Sequence, residues 1–262
     1  MIAIDSQQWY AWIGMFFWPF LRVLGLIVAE PVLGNSNVPM TAKVGLAIFI
    51  AIVLVPVLPP MPRVDPASAA GVMIACQQLL VGLAMGFTIR IALTAAEMAG
   101  QLSGLQMGLG FAVFFDPQTS AQTAVLGQFV GLFAMLMFLS VDGHYVVLTA
   151  LAESFGALPV SLAPLNPFGW RVLTEWGGTI FHAGLVISLP LIAALLLANI
   201  AVGIMTRAAP QLNIFAVGFP LTLITGFVAL YLATPYIGPA LLNLFEQALL
   251  TMGRVVQELA AP

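Results

Sequence analysis

The 262-residue sequence predicts an all-α, polytopic membrane protein, and three observations carry that prediction. Hydrophobic residues make up 61% of the chain, and the mean hydropathy is +1.09. Only 6% of residues are charged, against roughly 25% in an ordinary soluble domain. Seven basic and ten acidic side chains cannot give a globule of this size a polar skin. The apolar residues also gather into several runs close to the length, about 20 residues, that a helix needs to cross hydrocarbon.

Five or six helical runs follow in order. The first is expected from Trp9 to Ala29 and the second from Val44 to Leu58, where Pro56, Pro59, Pro60 and Pro62 stop it. These two read as a hairpin. A third begins near Gly71 and keeps helical character past Arg90 and Glu97 towards Gly108, outrunning a hydrocarbon core about 30 Å thick, so it has to tilt, break or leave the bilayer. A fourth spans Val125 to Val141 and is followed by DGHYVVLTALAESF, a polar break leading into a re-entrant or short helix. After a loop with Pro159, Pro164 and Pro167, a fifth runs from Thr179 to Met205 and a sixth from Ile214 to Leu232, joined by a turn around TRAAPQLN. Beyond Pro239, Leu241, Phe245, Leu249, Met252, Val256 and Leu259 recur at three- and four-residue steps, with Asn243, Gln247, Arg254 and Glu258 opposite. That pattern predicts an amphipathic helix lying on a surface or a partner.

Composition excludes several functions. A net charge of −3 without a Lys/Arg run offers nothing to a phosphate backbone. The single cysteine, Cys76, leaves no disulfide framework and no thiolate metal site. MIAIDSQQWY has no basic n-region, so the first segment is expected to stay in the protein. Lys43 and Arg207 stand against Arg63, Arg171 and Arg254 across alternate loops, a count too close to orient the chain.

Five polar groups depart from lipid logic. Arg22, Arg90, Glu97, Asp142 and His144 lie in or beside apolar runs, where a central arginine costs about 2.5–3.5 kcal/mol on the lenient insertion scale. Arg90 and Glu97, seven residues apart, share one helix face two turns apart. They mark either a helix leaving the membrane or an aqueous path or buried interface. Gly82 with Gly86, Gly100 with Gly104, Gly104 with Gly108 and Gly127 with Gly131 are G-x-x-x-G pairs, a spacing that lets helix backbones approach closely. The segment GLQMGLGFAVFFDPQT, Gly104 to Thr119, combines glycines, three phenylalanines and an Asp-Pro turn. Its chemistry suits a hydrophobic constriction that excludes water, and equally a hairpin tip whose phenylalanines pack in the bundle. Nucleotide-binding, zinc-protease and hydrolase motifs are absent. Asp142 and His144, two residues apart, do not face each other on a helix.

Four stretches in order resemble one family across essentially the whole chain. WYAWIGMFFWPFLRVLGLIVAEPVLGNSNVPMTAKVGLA, GLQMGLGFAVFFDPQT, MFLSVDGHYVVLTALAESF and APQLNIFAVGFPLTL are similar to the FliR family of type III protein export-gate subunits. The resemblance implies a non-enzymatic core subunit of the flagellar export gate in the bacterial inner membrane and basal body, without cofactor or metal. It implies one copy joined with several copies of FliP and FliQ around a central pore, next to FlhB and FlhA, through which unfolded flagellar proteins pass. Residues 1–158 resemble FliP and residues 179–262 a FliQ-like hairpin with an amphipathic tail. Residues 104–119 correspond to the family's plug loop, with Phe111, Phe114 and Phe115 closing the pore and Gln106 and Met107 beside them. Arg90, Glu97 and Gln101 are, from their chemistry, candidates for buried inter-subunit contacts. The turn from Arg207 to Asn213 would face the cytoplasmic base. The alternatives are the homologous subunit of a virulence injectisome, a small-solute transporter with Pro- and Gly-interrupted helices, and an intramembrane enzyme built on Asp142 and His144.

Overall fold

The apolar runs become helices because a backbone away from water has to pair its own N–H and C=O groups, and a helix does so within one segment. The computed structural model describes residues 6–111, 125–208 and 214–261. Within them lie α1 (Ser6–Ala29), α2 (Met40–Leu54), α3 (Ala69–Gln106), α4 (Val125–Ser140), α5 (Gly143–Ala157), α6 (Pro167–Gly177), α7 (Thr179–Ala208) and α8 (Ile214–Ala260). Short 3-10 turns, Val55–Val57 and Leu109–Phe111, follow α2 and α3, and the described residues contain no strand. Four helical stretches of the described residues are long and apolar enough to cross a membrane; α4 and α5, bent by 66° against each other, would add a fifth. The chain is thus the all-α, polytopic membrane protein that composition predicts.

The helices gather into two compact units. The first draws on residues 1–91, 141–177 and 246–262, the second on 92–140 and 178–245. In the first, α1 and α2 pack as the expected hairpin, and Trp18, Leu26, Ile27, Ile74, Met85, Leu151, Phe155 and Met252 are buried. In the second, Phe138 of α4 meets Phe245 of α8 edge to face, with ring centroids 5.3 Å apart. The helix α3, 38 residues long, extends about 57 Å at the rise of an α-helix. Its best apolar window is 67% buried within the protein, whereas that of Met40–Val57 is 11% buried. That stretch of α3 therefore packs mainly within the protein, and α2 offers its apolar surface to lipid or a partner.

The paired glycines do what their spacing suggests. A Cβ added to Gly82 would overlap the carbonyl oxygen of Arg22, and one added to Gly86 would stand 2.6 Å from the carbonyl oxygen of Leu26. From the other side, a Cβ on Gly25 would stand 2.5 Å from the carbonyl oxygen of Leu79. Backbone touches backbone where α1 crosses α3, and no side chain can swing away to make room. Gly82→Leu should therefore lower stability by about 1–3 kcal/mol, the usual range for overpacking. A melting curve of the detergent-solubilised protein tests this; an unshifted midpoint would refute the close crossing.

Three elements differ from the sequence expectation. The tail beyond Pro239 does not lie on an outer surface: Leu241, Phe245, Met252, Val256 and Leu259 are buried within the chain itself. It continues α8 through Pro220, Pro235 and Pro239 as one 47-residue helix. Pro235 and Pro239 stand four residues apart, so the hydrogen bonds they remove fall on one side of the helix and the buried face carries it through. The predicted polar opposite face holds, since Asn243, Gln247, Arg254 and Glu258 are exposed. Finally, α6 stands where a loop was expected. Pro167 opens it at the first helical position, the Asn166 side-chain oxygen accepts the Phe168 N–H at 2.9 Å, and Arg171 pairs with Glu175 at 2.8 Å. An Asn-Pro start and an i,i+4 ion pair were legible, but proline was read only as a breaker.

Candidate functional site

The segment that the sequence singles out begins where α3 ends. Gly108 adopts φ 80°, the left-handed conformation that closes helices, and its N–H bonds back to the Leu105 carbonyl at 3.1 Å. Just before it, Met107 is fully buried and packs with Leu126 of α4 and Leu191 and Leu195 of α7. Leu109, Leu223 and Leu230 close around this cluster. Gly226 of α8 lies so near that a Cβ there would stand 2.5 Å from the Met107 Cγ. The far side of the segment is held equally firmly. A Cβ on Gly100 would stand 2.6 Å from the Leu126 carbonyl oxygen and 2.8 Å from the Gly127 Cα, so α3 and α4 cross backbone to backbone. The segment between them thus springs from two rooted helix ends.

Its candidate residues are placed unevenly. Gln106 is exposed at the end of α3, and Met107 is the buried root rather than an exposed lining group. The backbone of Phe111 closes the 3-10 turn; Phe114 and Phe115 lie outside the described residues. Glu97 and Gln101 lie along the glycine face of α4. A Cβ on Gly131 would collide with the Glu97 Cγ, and one on Gly127 would stand 2.6 Å from the Gln101 Cγ. Residues 209–213 of the expected basal turn also lie outside the described residues.

Arg90 is exposed and its charge acts on Glu30, as does that of His144. Glu30, at the end of α1, went unnoticed in the sequence; an acidic residue sitting between an apolar run and Pro31 was the available signal. Arg22 finds the partners that its position demanded. Its Nε donates to Gln78 Oε1 at 2.8 Å, Nη1 to Ser154 Oγ at 3.0 Å and Nη2 to the Leu158 carbonyl at 2.9 Å. The guanidinium carbon lies 4.1 Å from the centroid of the Phe155 ring.

Asp142 has a backbone role. It takes φ 57° and ψ 28° at the bend between α4 and α5, and its carbonyl accepts the Tyr145 N–H at 2.9 Å. Asp tolerates this left-handed conformation better than most residues, and glycine better still. Asp142→Gly should leave the fold intact or stabilise it by up to about 1 kcal/mol, while Asp142→Val should cost about 1–2 kcal/mol. Melting curves check both. Export retained by Asp142→Gly would also remove the enzyme built on Asp142 and His144.

Two cavities lie in the first unit. One of about 320 Å³ is lined by Gln77, Gln78, Leu158 and Pro164 among others; one of about 90 Å³ includes Glu153 and Ser154. The Ser154 hydroxyl donates to the Leu151 carbonyl at 2.6 Å while accepting from Arg22, so it is engaged structurally. Among the described residues no three His, Cys, Asp or Glu side chains gather as a metal site.

The described helices define an all-α, polytopic membrane protein. Residues 13–248 match the family described as "Bacterial export proteins, family 1", and the chain belongs to that family. It is 40% identical over 259 residues to the flagellar biosynthetic protein FliR of Escherichia coli (strain K12), covering 99% of both chains. It is 39% identical to that of Pectobacterium carotovorum subsp. carotovorum over the full length of both. It is 33% identical to that of Bacillus subtilis (strain 168), over 89% of this chain and 91% of the relative.

Proposed function

We propose that the chain is a core subunit of the flagellar type III export gate, forming with FliP and FliQ the inner-membrane pore through which unfolded flagellar proteins leave the cell. The observation that carries this reading is the end-to-end likeness to flagellar relatives, at 40% and 39% identity. The relatives reported are flagellar, which supports that system over the homologous injectisome. Residues 1–158 act as a FliP-like part and 179–262 as a FliQ-like part, with FlhB and FlhA at the cytoplasmic base. The gate needs no chemistry of its own: residues 104–119 plug the pore, Phe111, Phe114 and Phe115 exclude water, and substrate displaces them. Met107 roots the plug and Gln106 borders it, while Arg90 and the exposed sides of Glu97 and Gln101, which also pack along α4, face neighbouring subunits.

The exposed apolar faces support assembly or lipid contact. Val125, Phe129, Leu132 and Leu136 on α4, and Leu197, Ile200 and Ile204 on α7, are all more than half exposed, a surface that a soluble monomer would not leave bare. The mass of the intact detergent-solubilised complex, purified through a tag on this chain after expression with its neighbouring genes, tests the proposal. One copy of this chain with several FliP- and FliQ-like copies is expected. A stable monomer or homodimer that takes up a small solute would overturn the gate in favour of a transporter.

A further inference from the structure

Among the described residues, Glu30 is a carboxylate that the structure encloses. It is 3% exposed, at the point where α1 hands over to the turn before α2. Its Oε2 accepts the Leu33 N–H at 2.6 Å, while its Oε1 is buried without a hydrogen-bond partner. The turn around it is tightly wound. The Gly34 N–H donates to the Glu30 carbonyl at 2.8 Å, Lys43 Nζ of α2 donates to the Gly34 carbonyl at 2.9 Å, and a Cβ on Gly34 would stand 2.5 Å from the Ile27 carbonyl oxygen. The Leu33 N–H holds the carboxyl group against this turn.

The groups that face it are basic. On α3, Gly86 abuts it so closely that a Cβ would stand 2.8 Å from the Glu30 nitrogen, and Arg90 follows one turn later with its side chain exposed. On α5 the neighbour is His144, two residues after Asp142, and both Arg90 and His144 act electrostatically on Glu30. On α2 the charged group is Lys43, held by the turn.

We propose that Glu30 is a proton-binding site: it is neutral in the arrangement described, and on losing its proton it draws the Arg90 guanidinium onto Oε1. The physical reason is that an ionised carboxylate with one oxygen buried and unpaired is costly, whereas the protonated form is cheap to enclose. Burial accordingly pushes the Glu30 carboxyl above its usual range, opposed by the Leu33 and Val32 backbone N–H groups and by Arg90 and His144. The charge of Arg90 already acts on Glu30, so proton loss has a defined structural consequence. The protonation state thereby sets whether α3 and the α1–α2 turn are tied by an ion pair.

The sign follows from linkage. A group whose pKa is higher in the folded than in the unfolded state stabilises the fold below its unfolded pKa, and that contribution is lost as pH rises through the folded value. The test is the melting temperature of the purified complex across pH for wild type, Glu30→Gln and Arg90→Gln. The wild type should lose several degrees as pH rises through the raised range, and Glu30→Gln should stay flat there. Arg90→Gln should deepen the wild-type loss at high pH by several degrees more than it changes the low-pH value. A Glu30→Gln curve that falls like the wild type, or an Arg90→Gln effect equal at both ends of the range, would overturn the proposal. Should Glu30→Gln fail to assemble, Arg90→Gln together with the infrared band of a buried neutral carboxylic acid decides it: loss of that band on raising pH is expected, and its absence at low pH refutes the site.

Discussion

Deleting residues 109–115 should open a leak. The segment starts in the 3-10 turn Leu109–Phe111 and carries the three phenylalanines assigned to the seal. Ions cross a dewetted apolar constriction only by losing hydration, so removing it lowers the barrier to permeation. A barrier lowered by only ~1.4 kcal/mol raises the rate about tenfold, and at least that increase is expected in resting conductance of cells or of planar bilayers holding the complex. The deletion removes Leu109 from the edge of the cluster but spares Met107 and its contacts with Leu126, Leu191 and Leu195, so assembly should survive. A loop that merely packs in the bundle would give the reverse pair of results, with weaker assembly and no added conductance. Replacing Phe114 and Phe115 by leucine should preserve the seal, since dewetting asks for apolar surface rather than aromatic rings.

Arg22→Ala should be the most damaging single substitution for stability. The guanidinium is fully buried and spends three N–H groups on Gln78, Ser154 and the Leu158 carbonyl. All three named acceptors are neutral, and they come from α3, α5 and the strand of chain after α5. Truncation leaves those acceptors buried and unpaired, at about 1–3 kcal/mol each, and adds a cavity beside Phe155. Part of that is recovered because an enclosed charge is itself costly, so a net loss of about 3–5 kcal/mol is expected. Arg22→Lys should fail as well, because an ammonium cannot reach three divergent acceptors as a planar fork does. Thermal unfolding in detergent checks both variants. A lysine variant as stable as wild type would mean that charge, not the fork, holds this junction.

Periodicity and composition sufficed for the helices because length and apolarity are local properties. Residues 9–29, 44–58, 71–108, 125–141 and 179–205 all correspond to helices within a few residues of their observed bounds. The G-x-x-x-G pairs were legible for the same reason: two small residues on one face advertise a close neighbour. They did not say which neighbour. Gly82 and Gly86 meet α1, while Gly100 meets α4, and no pattern within α3 distinguishes the two. Likewise the amphipathic tail showed which face is apolar, yet not that its cover is the chain itself.

The candidate site divides along the same line. Glycine spacing, phenylalanine content and the Asp-Pro turn made residues 104–119 stand out unaided, because a loop's chemistry is written in consecutive residues. The root of that loop was not legible, since Met107 depends on Leu191, Leu195 and Gly226, more than 80 residues away. Arg22 could be recognised as needing partners, but these lie 56, 132 and 136 residues along the chain. Glu30 is signalled only by its place between an apolar run and Pro31, a weak signal because an acid beside a proline looks like any helix end until the surrounding helices close over it. Local composition decides what is helical and what must be hidden from water; which groups meet once hidden is a long-range choice, decided only where backbones pack closely enough to exclude every other arrangement.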